Sequence, residues 1–144
     1  MITSIAMPRE IFSGTEVCLL TTGAIASEAV KAAQILTEDN ISVAVYTLST
    51  IKPLDADAIK KLAKQFKLLV SIEEHNIIGG LGSAIAEVTA GISGTHAPLL
   101  CLGMKDQYSS IVGSHEFLRD YYGLSAEKLA SRICDRLEAI ACKQ

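Results

Sequence analysis

The run Leu68-Leu69-Val70-Ser71-Ile72, followed by Glu73-Glu74-His75, Gly79-Gly80-Leu81-Gly82-Ser83 and Ala84-Ile85-Ala86-Glu87-Val88, sets the fold of this chain. An unbroken apolar run bounded by polar residues points to a strand buried on both faces. The small residues after the glycines suit a helix packed close to that strand. The connection between them then lies at the carboxyl edge of a parallel sheet, where open α/β proteins place ligands and contacts. Glu73, Glu74, His75, Gly79, Gly80 and Gly82 gather there and form the candidate site.

The residue types narrow its chemistry. Gly80-x-Gly82 begins like a dinucleotide fingerprint, but Ile85 stands where a third Gly or Ala belongs, and no Lys-Ser/Thr pair closes a phosphate loop. The free N–H groups of a helix start attract anions, yet Glu73 and Glu74 already bring carboxylates to them. The expectation is that at least one acid accepts N–H bonds from the helix start. The other acid, with His75, then faces a neighbouring domain or subunit and its Arg or Lys; the alternative is that all three residues sit in water. The three glycines are expected to serve a tight turn and a close helix–strand approach, at least one of them with positive φ.

Outward from this centre the chain alternates strands and helices. Upstream, Asp55 caps a helix whose Ile59, Leu62, Ala63 and Phe66 share one face, while Lys60, Lys61 and Lys64 take the solvated one. Ile41 to Leu48 reads as a strand, and Asp39-Asn40 ends a helix carrying Ala26, Ala29, Val30, Ala33 and Leu36. Arg9 to Phe12, turned by Ser13-Gly14-Thr15 into Glu16 to Thr21, reads as a small antiparallel edge pairing. Residues 1–8 have no periodicity and read as a linker from an upstream domain, which leaves 9–144 as one domain.

Downstream come a last strand, Ala97 to Gly103, and a polar loop, Met104 to Gly113, with Lys105, Asp106 and Tyr108. Ser114 and Ser125 are the expected caps of a short helix to Tyr121 and of a final helix with Leu129, Ile133, Leu137 and Ile140 on its buried stripe. The alternation implies right-handed βαβ units and a parallel sheet with helices on both faces.

Composition sets the outer bounds. A chain of 144 residues, 49% hydrophobic, supplies one good core. Its net charge of −3 is dispersed, with no basic stripe or aromatic platform, which argues against nucleic acid. No apolar run nears the roughly 20 residues that span a membrane, and Met1 to Ile5 lacks the signature of a signal peptide. Cys18, Cys101, Cys134 and Cys142 have no metal-ligand spacing and are expected to be buried, reduced thiols of a cytoplasmic protein.

Three segments together resemble the carboxy-terminal domain of transketolases: Thr47-Leu48-Ser49-Thr50-Ile51-Lys52-Pro53-Leu54-Asp55, the Glu73 to Ala84 stretch, and Tyr122-Gly123-Leu124-Ser125-Ala126-Glu127. Similar domains end deoxyxylulose-phosphate synthases and the beta subunits of 2-oxoacid dehydrogenases. The resemblance implies a three-layer α/β/α domain with a mostly parallel five-stranded sheet and an antiparallel first edge strand. It implies an enzyme that uses thiamine diphosphate and a divalent cation (Mg) to transfer two-carbon ketol units between sugar phosphates, commonly as a homodimer. Those cofactors belong to preceding domains or a partner subunit. This chain has no Gly-Asp-Gly…Asn motif to hold them, and no catalytic, cofactor-binding or metal residue carries over to it.

Two other classes compete. A freestanding flavodoxin-like small-ligand module would fit the fold; as a phosphoacceptor it would need acids after its first parallel strand, where Thr21-Thr22-Gly23 stands. An independent hydrolase would have to use His75, His96 or His115, and no Ser-His-Asp or Cys-His motif surrounds them.

Overall fold

The structure, a computed structural model, describes residues 7–49, 54–76, 80–104 and 115–142. The strands are β1 (Arg9–Phe12), β2 (Val17–Thr21), β3 (Val43–Thr47), β4 (Leu68–Asn76) and β5 (Leu99–Met104). The helices are α1 (Ala26–Glu38), α2 (Ala56–Gln65), α3 (Leu81–Ala90), α4 (His115–Tyr121) and α5 (Ala126–Cys142). All five strands form one sheet in the order β1-β3-β2-β4-β5. Strands β2 to β5 are parallel and β1 is antiparallel, as the sequence implied.

The two sheet faces have separate cores. Val17 and Leu19 of β2, with Val70 and Ile72 of β4, pack under Ala29 and Leu36 of α1 and Leu129 and Ile133 of α5. The alternate residues Cys18, Leu20 and Leu69 pack under Ile59 and Leu62 of α2 and Leu81 and Ile85 of α3. This period-two division is why β2 and β4 carry no solvent-facing side and read as continuous apolar runs. All five β2 residues are buried. Burying each large aliphatic contributes roughly 1.5–3 kcal/mol, so the centre of the sheet dominates the stability.

Local signals act largely where the sequence placed them. The Asp55 carboxylate accepts the Ala58 N–H at 3.0 Å. Asn40 ends α1 in the left-handed region, φ 63°, and the Ile41 N–H returns to the Leu36 carbonyl at 3.0 Å. At the start of α5 the cap differs from expectation. The Ser125 hydroxyl donates to Asp120 at 2.9 Å, and the first helical N–H, of Ala126, donates to Glu28 of α1 at 3.0 Å. Ser114 and the loop residues Lys105, Asp106 and Tyr108 lie outside the described residues.

The amino-terminal hairpin also needs correction. β1 pairs with β3, not with β2. Both sides of β2 are taken by its parallel neighbours β3 and β4, so the antiparallel strand reaches the sheet only at the outer edge of β3. To get there the chain passes over the start of β3 at Gly14. A Cβ at Gly14 would fall within the Val43 carbonyl group and 2.6 Å from the Ala44 nitrogen. The four cysteines are free, with Cys18 buried and Cys142 exposed, so burial does not hold for all of them. Burial pushes the Cys18 thiol well above its usual range, reinforced by the nearby Glu10 carboxylate.

The Gly14 crossing gives a test of topology. Gly14→Ala should destabilise the protein by about 3 kcal/mol or more, because the obstruction is backbone and cannot rotate away. Urea denaturation of the two proteins measures it, and a difference under about 0.5 kcal/mol would contradict this path.

Candidate functional site

The site begins with the length of β4. The strand does not stop at Ile72 but runs to Asn76, so Glu73 and Glu74 are strand residues and not loop residues. Its pairing with β5 shifts register between Ile72 and Asn76, which marks an irregularity at the acids. Alternation along β4 sends the two carboxylates to opposite faces.

Glu73 follows Leu69 and Ser71 onto the α3 face and is 2% exposed. One of its oxygens accepts the Leu81 N–H at 2.9 Å and the other accepts the Gly82 N–H at 2.9 Å. Those donors open α3, whose N-cap residue, Gly80, has no side chain to cap them. A strand carboxylate thus does the work of the missing local cap, at the positive end of the helix. An incoming phosphate would meet a negative group already bound to the N–H groups it needs.

Gly82 serves space more than backbone freedom. Gly80 has φ −95° in an extended conformation, and Gly82 lies within α3. Neither has the positive φ expected of at least one glycine here; Gly79 lies outside the described residues. A Cβ on Gly82 would come within 2.8 Å of both Ser71 Oγ and Cys101 Sγ. Helix α3 therefore starts almost in contact with β4 and β5. The Ser71 hydroxyl beneath it is buried and has no hydrogen-bond partner among the described residues.

Glu74 turns to the other face, toward α4. It accepts two bonds from Arg119, from Nε–H at 2.8 Å and from Nη2–H at 3.2 Å. Glu74 thus has a partner within the chain. The side chain of His75 lies outside the described residues. On α4, Phe117 and Tyr121 stack with ring centroids 6.2 Å apart, and both rings are about half exposed. The sequence reading missed this pair and Arg119, although aromatics at i and i+4 were the available signal. Beside them, hydrogen bonds from Lys128 and Ser125 hold the Asp120 carboxyl below its usual range.

No described part of this edge assembles reactive groups. Among the described residues, no group of three or more His, Cys, Asp or Glu could hold a metal. His96 is remote from the edge, and its ring Nδ1–H donates to the Ala97 carbonyl at 2.9 Å. It borders an open cleft of about 790 Å³ at the amino end of the sheet, floored by Ile41, Phe66 and Ile140 and rimmed by Lys64 and Lys67.

Replacing Glu73 with Ala should cost about 2–4 kcal/mol, because two buried N–H donors lose their acceptor. Glu74→Ala should cost about 1 kcal/mol, because its pair with Arg119 is part-exposed. Gly82→Ala should cost about 1–3 kcal/mol. Denaturation midpoints rank the three, and equal effects for the two glutamates would refute the capping role.

Residues 9–129 match the family model described as transketolase, C-terminal domain. An assumed transketolase C-terminal section from Methanocaldococcus jannaschii is 39% identical over 128 residues, which cover 89% of this chain and 39% of that protein. A 1-deoxy-D-xylulose-5-phosphate synthase from Heliobacterium modesticaldum is 37% identical over 117 residues, 81% of this chain and 18% of the synthase. Among solved structures, a split gene transketolase described as an inactive beta4 tetramer superposes with a TM-score of 0.80 at 27% identity, over 89% of this chain and 41% of that one. The chain thus spans well under half the length of these relatives. By sequence and by fold it belongs to the transketolase C-terminal domain family.

Proposed function

We propose that residues 9–144 act as the accessory and assembly domain of a thiamine-diphosphate-dependent transketolase-like enzyme in the cytoplasm, with residues 1–8 as the link to an upstream domain. The reaction is transfer of two-carbon ketol units between sugar phosphates. The cofactor and its divalent cation are held by an upstream thiamine-binding domain or subunit, and this domain shapes the assembly, which is a homodimer.

One observation carries the division of labour: the Glu73 carboxylate occupies both N–H groups at the start of α3. The residues present do not fit thiamine diphosphate, since the helix start that could hold a diphosphate is already neutralised by an acid. No step of the reaction is assigned to this chain. Its contribution is a rigid carboxyl edge, with Glu74 and Arg119 fixing α4 and its aromatic pair for contact with the catalytic part. His75 and the glycine turn belong to that same contact edge.

A second reading places the same domain in a deoxyxylulose-phosphate synthase, which the 37% identity to such a synthase favours almost equally. Both readings make the isolated chain inactive. Calorimetric titration of the chain with thiamine diphosphate and magnesium should show no saturable heat. Saturable micromolar binding would overturn the accessory role.

A further inference from the structure

We draw no further inference here: the strongest candidate, the open cleft at the amino end of the sheet between α2 and α5, has the lysines of its rim, Lys64 and Lys67, balanced by Glu16 and Glu138, and nothing in the structure shows what covers its apolar floor.

Discussion

The capping of α3 by Glu73 constrains more than a helix end. The carboxylate comes from the interior strand β4, eight and nine residues before its donors, and bridges two elements that also meet at Gly82. A hydrogen bond of this kind holds only if strand and helix are in register to within tenths of an ångström. The missing side chain at Gly82 permits that approach, and Ser71 and Cys101 supply the small surfaces on which the helix rests. The buried charge is compensated by two direct N–H bonds and the helix dipole. Losing either the acid or the glycine therefore disturbs the same joint.

That joint also decides what the carboxyl edge can do. In α/β proteins that bind phosphate, the helix start after a central strand is left open to the ligand. Here the protein supplies its own anion. The edge keeps the rigidity of a ligand site and loses its vacancy for a phosphate. Glu74 and Arg119 extend the rigidity to α4 through two charge-assisted bonds. An edge built this way suits contact with another folded surface.

Much of this was legible in the chain because the deciding signals are local or periodic. The apolar run from Leu68 to Ile72, the face made by Ile59, Leu62, Ala63 and Phe66, and the Asp55 cap each act within a few residues, and all occur in the structure. Glu73 as a donor-satisfying acid was foreseeable from charge beside an uncapped helix start. The exceptions are long-range. Pairing of β1 with β3 depends on which neighbours already flank β2, a fact of topology that no window near Gly14 contains. Nor can local sequence choose Arg119, 45 residues away, as the partner of Glu74. The close helix–strand approach at Gly82 was legible from the small residues around it, whereas its contact with Cys101 of β5 as well as with β4 depends on which strand lies alongside.

Helix α5 closes the core on one face of the sheet, yet it follows β1 to β5 in the chain and is synthesised after them. Its Leu129 and Ile133 lie over β2 and β4, and the Ala126 N–H is held by Glu28, 98 residues earlier. Until α5 has been made, Val17, Leu19, Val70 and Ile72 lack their full cover, and the sheet presents apolar surface to its surroundings. Vectorial synthesis therefore leaves this domain open for most of its translation, a period in which chaperones and neighbouring chains compete for the face that α5 will occupy.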